Sequence, residues 1–518
     1  MSLHGSTQAR VFSSGVGPAR HRPFLLGALA LFVSTSAGLA IARLPPLLVL
    51  GGIAACLGCY AVLRRPFLGL LLYTILYMWR PGEAYNVLTG LHLERLVGAV
   101  TLVALAFGQL REHGKIRIDD TPLSRRLMLL AFAATFSLPF SYWLSASLAA
   151  FIDFLKLLAW YLLIVHLIDS RGRLRIFMVV YLIALSKLTI DAIRAYAAGN
   201  FQYAQGIDRL VGQNDAAGDP NHFAASCVAT IPLLLLLPAP RKWPWIRCLS
   251  LGLAILFGVA LTLTGSRSGM LALLGALLAL WWRGRRRARG AFLIVGLLIS
   301  CLAVLPEEYR IRYSTITSSE LDGSSSARIE AWKKGGQMIL DRPLSGVGLG
   351  CFGVANALGY SSENRRSWLQ AHSLYVQVPS ELGVPGALFF FSFVAAMIRS
   401  CRKLRPILGA TGESWRFECS LLAAIPSGIV GLLVAGVFGH SLMRYTWYVY
   451  GALVVAIGHI AARRPSSLLE HGLPVRQAPP TAVLSAAGES PRCTRPDAIK
   501  VRPAVAGNQP SEPPRDNA

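Results

Sequence analysis

The stretch Ala371-His372-Ser373-Leu374-Tyr375-Val376-Gln377-Val378-Pro379-Ser380-Glu381-Leu382-Gly383-Val384-Pro385-Gly386 closes the longest polar loop of a very apolar chain and opens an apolar run. A polar histidine stands where the chain is about to re-enter lipid. The chain around it is 54% hydrophobic and 15% charged, whereas soluble domains carry roughly 25% charge. A membrane span needs about 20 apolar residues. Such runs occur near 24–42, 45–63, 66–79, 93–110, 126–140, 150–168, 174–193, 222–238, 245–264, 268–282, 290–305, 383–399, 419–438 and 446–462. The short ones, 66–79, 126–140 and 268–282, read as re-entrant or as borrowing flanking residues. The sequence therefore predicts an all-α polytopic membrane protein with about 12–14 transmembrane helices. The first apolar run is long and lacks a small-x-small cleavage site, so it reads as a retained anchor.

The net charge of +25 raises the question of nucleic acid. Its distribution answers it. Arginines and lysines fall in alternate loops: Arg64 and Arg65, Arg111 to Arg126, Arg171 to Arg175, Arg241 to Arg247, Arg283 to Arg289, and Arg399 to Arg416. That is the positive-inside pattern. It places those loops and both termini in the cytoplasm and leaves no basic patch for nucleic acid. The nine cysteines form no framework. Cys56 and Cys59 lie inside an apolar run and read as packing residues, and Cys351 reads as external.

Residues 1–22 read as a basic cytoplasmic start and 23–462 as one integral membrane domain. The Pro- and Ala-rich stretch 463–518 reads as a disordered cytoplasmic tail. Two loops on the opposite side are long, 194–221 and 306–371. Long loops in compact domains are often functional. The second contains a helical pattern from Ser324 to Leu340, with serines as an N-cap. Ile329, Trp332, Met338 and Leu340 are its expected packing face.

Three residues on that side carry the chemistry we expect. Arg267 lies in the polar turn Thr264-Gly265-Ser266-Arg267-Ser268, on the face that the charge rule leaves poor in cations. A guanidinium there either grips phosphate oxygens bidentately or snorkels to headgroups. Arg209 lies among Asp208, Asp215 and Asp219 and reads as a second anion ligand or as a surface ion pair. Pro220 and Asn221 can start or cap the next span. His372 is the candidate acid/base, since imidazole titrates near neutrality. Glu381 is expensive in a span unless paired or hydrated. His440, Arg444, Arg328 and Arg80 are further external candidates for support.

Three segments carry a resemblance: Gly265-Ser266-Arg267; Arg328 to Trp332 followed by Asp341-Arg-Pro-Leu-Ser-Gly-Val-Gly-Leu-Gly350; and Ala371-His372 through Gly386. Together they resemble the O-antigen ligase family and its Wzy-polymerase relatives over about residues 60–460. The segment Arg65 to Pro81 is similar to the exosortase-associated O-glycosylation ligases. The resemblance implies a metal-independent, cofactor-free, GT-C-like glycosyltransferase of the bacterial inner membrane. Its donor would be an undecaprenyl-pyrophosphate-linked glycan. Its acceptor would be a hydroxyl on protein, lipid or polysaccharide at the periplasmic face. It further implies that Arg209 and Arg267 hold the diphosphate and that His372 activates or positions the acceptor hydroxyl, with Arg328 a third cation. A polymerase extending the same glycan is the nearest alternative, and an anion or lipid transporter is a more distant one.

Overall fold

The computed structural model describes residues 46–81, 92–204, 206–212, 218–240, 242–283, 296, 307–309, 323–361, 368–410 and 412–463. The expected spans 24–42 and 290–305, and the basic start and Pro-rich tail, lie outside the described residues. The fold is all-α. Helices α1 (Pro46–Arg64), α2 (Pro66–Trp79), α3 (Leu93–His113), α4 (Pro122–Ser137), α5 (Leu144–Leu167) and α6 (Arg171–Ala197) come first. A hairpin of β1 (Gln202–Ala204) and β2 (Ile207–Arg209) follows, then α7 (Pro220–Leu236), α8 (Trp245–Leu263) and α9 (Arg267–Arg283). The chain ends in α10 (Gly323–Asp341), α11 (Phe352–Gly359), α12 (Leu374–Gly409), α13 (Arg416–Val437) and α14 (Tyr445–Ala462).

Eight helices among the described residues are long and apolar enough to cross a membrane. Four shorter apolar ones lie within α1, α2, α7 and α9. Phe107, Phe132, Leu148, Ile183 and Leu388 are exposed, as expected where lipid is the solvent. Charged groups inside the apolar helices pair locally: Lys156 Nζ lies 2.8 Å from Asp153, and Lys187 pairs with Asp191. Around the site, α7, α9 and α13 pack on one another, α8 packs on α7, and α12 packs between α4 and α13. Small residues set this closeness. A Cβ at Gly431 of α13 would sit 2.5 Å from Val228 of α7. This is how helices approach in lipid, where apolar side chains gain little by leaving solvent.

Chain direction places the site. Helix α6 begins in the Arg171–Arg175 cluster, so it delivers the hairpin to the opposite end. Helix α7 runs back, and Arg247 caps its last turn by donating to the Leu235 and Leu237 carbonyls. Helix α8 returns, and α9 starts at the hairpin end. The same alternation brings the starts of α12 and α14 to that end.

Helix α12 is broken. Gly383 has φ 69° and ψ 178°, a region open almost only to glycine, and Pro385 brings no N–H to the ladder. The break frees carbonyls, and the turn-rich segment after α10 uses them. Val347 N–H donates to Ser380 O at 2.8 Å and Gly348 N–H to Glu381 O at 3.1 Å, while Val384 N–H donates to Pro343 O at 2.7 Å. The Pro-Leu-Ser-Gly-Val-Gly motif is thus the strand-like filler of a helix break. Gly346 must lack a Cβ, which would lie 2.4 Å from the Glu381 backbone.

Several expectations need correction. Ser324 to Ser326 lie inside α10, which starts at Gly323. Its buried face is Ala331 and Met338, with Gly335 against Val376, while Ile329 and Leu340 are exposed. The helix approaches α12 too closely for bulky residues, and the sequence pattern weights bulk. Cys351 is buried. The loop 194–221 holds a hairpin whose strands of three residues are too short to show alternation.

Gly383→Ala should destabilise the protein by more than about 1–3 kcal/mol, because it adds strain at a glycine-only conformation and its Cβ would meet the Leu344 carbonyl at 2.5 Å. Thermal unfolding in detergent measures this. An unchanged midpoint would mean that the break is not needed.

Candidate functional site

The hairpin delivers Arg209. Leu210 N–H donates to Leu263 O at 2.9 Å, fastening β2 to the end of α8. Arg209 is buried, with 6% exposure. Its Nε donates to Thr264 O at 2.8 Å and its Nη2 to the Asn221 side-chain oxygen at 3.2 Å. Ser266 Oγ donates to that same oxygen at 2.7 Å and accepts from Gly269 N–H at 3.1 Å, capping α9. Gly265, at φ 59°, makes the turn. One amide oxygen therefore joins Arg209 to the turn from which Arg267 springs. Arg267 is half-buried.

Asp219, rather than Asn221, caps α7. Its Oδ1 accepts from Asn221 N–H at 2.6 Å and His222 N–H at 3.2 Å, which frees the Asn221 amide for Arg209. Burial opposes ionisation of Asp219, but the nearby His222 and these two N–H groups outweigh it, and its pKa lies below the usual value. Next along the helix, His222 has its ring centroid 4.7 Å from that of His440, and His440 lies 5.6 Å from His372. Arg444 is buried and donates from Nη1 to His222 O at 2.9 Å and to Ser226 Oγ at 2.8 Å. Contacts thus run unbroken from Arg209 and Ser266 through Asn221, His222 and His440 to His372.

His372 sits in the left-handed region, φ 43°, which is uncommon for a residue with a side chain. Its neighbours hold it there. Trp332 Nε1 of α10 donates to Ala371 O at 3.0 Å. Burial, and then the positive charge of Arg328, push the His372 pKa below the ordinary value, with Asp219 pulling the other way. The imidazole is therefore neutral at pH 7 and able to accept a proton. Burial and the neighbouring His222 and His372 push His440 down to about 3. The positive ends of α7, α9, α12 and α14 meet at this face, and helix N-termini favour anions.

Glu381 plays a different part from the one its position suggested. It is buried within α12, and its Oε2 accepts from Gly350 N–H at 2.9 Å while its Oε1 accepts from Gln377 Nε2 at 3.3 Å. Gln377 Oε1 in turn accepts from Leu442 N–H at 3.2 Å. Glu381 links the segment filling the helix break to the loop that carries His440. Asn221, Asp219, His222 and Gln377 were not singled out as site residues from sequence. The polar run Asp219-Pro220-Asn221-His222 at the mouth of an apolar helix was the available signal. Among the described residues no group of three or more His, Cys, Asp or Glu is arranged to hold a metal ion.

Residues 224–391 match the family described as Wzy_C, O-antigen ligase. They thus carry a domain similar to the O-antigen ligase and Wzy-like family. The matched stretch contains Arg267, Arg328, His372 and Glu381, while Arg209, His440 and Arg444 lie outside it. No curated protein matches the chain. The matched domain supports ligase- or polymerase-type glycan transfer in general, with a lipid-linked glycan and an acceptor as substrates in general terms.

Glu381→Leu should cost about 1–3 kcal/mol, chiefly because it strands the buried Gln377 amide. The unfolding midpoint should fall clearly below that of wild type. A variant as stable as wild type would mean that Glu381 does not hold the two loops together.

Proposed function

We propose that this chain transfers a glycan from undecaprenyl pyrophosphate to an acceptor hydroxyl at the periplasmic face of the bacterial inner membrane. The observation that carries this reading is the run of contacts from Arg209 and the Arg267 turn to His372. In a transfer step the bond between the anomeric carbon and the diphosphate oxygen breaks, and a bond to the acceptor oxygen forms. The acceptor proton goes to the neutral His372 ring. Negative charge grows on the leaving diphosphate, where Arg209, Arg267 and the helix N-termini stabilise it. Fixed guanidiniums provide this charge directly, so the reading needs no metal and no cofactor. Arg328 lies close enough to His372 to depress its basicity and would be a third cation at the same centre.

The cations gather at the helix ends, and Lys156 and Lys187 pair with Asp153 and Asp191 on their own helices. A transporter more often sets such groups at mid-span. The positive-inside distribution supports cytoplasmic termini and the periplasmic placement of the site.

With the purified chain and a lipid-linked glycan, His372→Ala should lower transfer by roughly 10²–10⁴-fold. Arg267→Ala should cost roughly 10²–10³-fold, with membrane insertion intact in both. Arg267→Lys should also lose much activity, since the planar fork is gone. Wild-type turnover by either alanine variant would refute the assigned site.

The pH profile is a separate check. His372 must be neutral to act, and its pKa is depressed, so the acid limb of the rate should lie below about 6.5. Arg328→Gln removes a positive charge, makes protonation easier and should move that limb to higher pH. A limb that stays in place, or moves down, would contradict the coupling.

A further inference from the structure

A cavity of about 320 Å³ lies beside the histidine cluster. Arg80, His222, Gln377, His440, Ser441 and Arg444 are on its polar side. Tyr77, Phe223, Phe257 and Tyr445 are among the residues of its apolar walls. Arg209, Arg267 and His372 are not among its lining residues.

Four atoms around it are buried and, among the described residues, have no hydrogen-bond partner: His222 Nε2, His440 Nδ1, Ser441 Oγ and Arg444 Nε. Buried polar groups are normally paired, and one cavity has four that are not. The loop does not need them for its shape. Leu442 N–H is held by Gln377, Trp447 Nε1 donates to Ser441 O at 3.0 Å, and Tyr448 OH donates to Leu442 O at 2.9 Å. Its backbone is fixed by other residues.

We propose that this cavity is a subsite for one sugar ring of the substrate, held by His222, His440, Ser441 and Arg444 against the aromatic walls. The proposal rests on the glycan-transfer reading. The chemistry of the lining selects the ligand class. Two imidazoles, a hydroxyl and a guanidinium offer a mixture of donors and acceptors, and a sugar ring presents hydroxyls of both kinds. The apolar face of a sugar packs on aromatic rings. A lipid tail would leave all four polar atoms unpaired. Arg80 and Arg444 would attract a phosphate, but the His440 ring, held neutral by burial, and the nearby Asp219 carboxylate would not pair with one. The volume lies at the small end of ligand pockets, roughly 300–1,000 Å³, which suits one ring. The 5.6 Å from His440 to His372 keeps that ring beside the proposed reacting centre.

The test uses the full chain in nanodiscs and saturation-transfer NMR with glucose, galactose and N-acetylglucosamine as probes. Thr189 lines the cavity from α6 and bonds only to its own helix, at Leu185 O, so Thr189→Phe fills the space from the far wall. Ser441→Ala removes one polar atom with little change of shape. At least one probe should bind wild type, and Thr189→Phe and Ser441→Ala should each weaken it by roughly tenfold or more. Binding by no probe, or equal binding by wild type and both cavity variants, overturns the subsite. If the cavity variants lose sugar binding but wild type transfers no glycan, the transfer reading fails and the subsite stands.

Undecaprenyl diphosphate and undecaprenyl-diphosphate-N-acetylglucosamine separate the two sources of the ring. A donor ring predicts that Thr189→Phe weakens only the glycosylated lipid. An acceptor ring predicts that both lipids bind unchanged while the KM for a glycan acceptor rises.

Discussion

One side-chain oxygen, that of Asn221, organises the site. It accepts from Arg209 at 3.2 Å and from Ser266 at 2.7 Å. Arg209 comes from a hairpin, Ser266 from the turn between two apolar helices, and Asn221 from the first turn of a third. Nothing local in any of the three segments would bring them together. A guanidinium buried at a membrane face is costly unless its donors are satisfied, and Asn221 and the Thr264 carbonyl each take one of them.

A second constraint supports the first. Helix α12 cannot be continuous through Gly383, so its freed carbonyls must be paired by another segment. The glycine-rich filler does this, and Glu381 and Gln377 extend the same network to the His440 loop. His372 stands just before the helix, about three turns ahead of this break, with the Ala371 carbonyl held by Trp332 from α10. The histidine and the arginines are thus positioned by two separate frameworks that meet at His222 and His440. Substitutions in either framework should disturb geometry before they disturb chemistry.

The bundle was legible because lipid imposes a simple code, long apolar runs separated by turns with alternating charge. Arg267 and His372 were legible for the same reason, as polar residues where that code disfavours them. The glycine-rich motif was legible as a turn, but its partner was not. Pairing between backbone groups about 35 residues apart leaves no side-chain signature. Asn221 was read as a cap because its type suits capping, and only the placement of Asp219 shows that its amide is used elsewhere. The α10 face was misread because close helix contact favours Ala331 and Gly335 over the larger Ile329 and Leu340.

The central claim is that the arginines and His372 face one diphosphate. A cryo-EM map of the full chain in nanodiscs with undecaprenyl diphosphate tests it most directly. The account predicts diphosphate density in contact with Arg209 and Arg267 and within a sugar's length of His372. Density bound elsewhere on the bundle, with those two guanidiniums not touching it, would contradict the account.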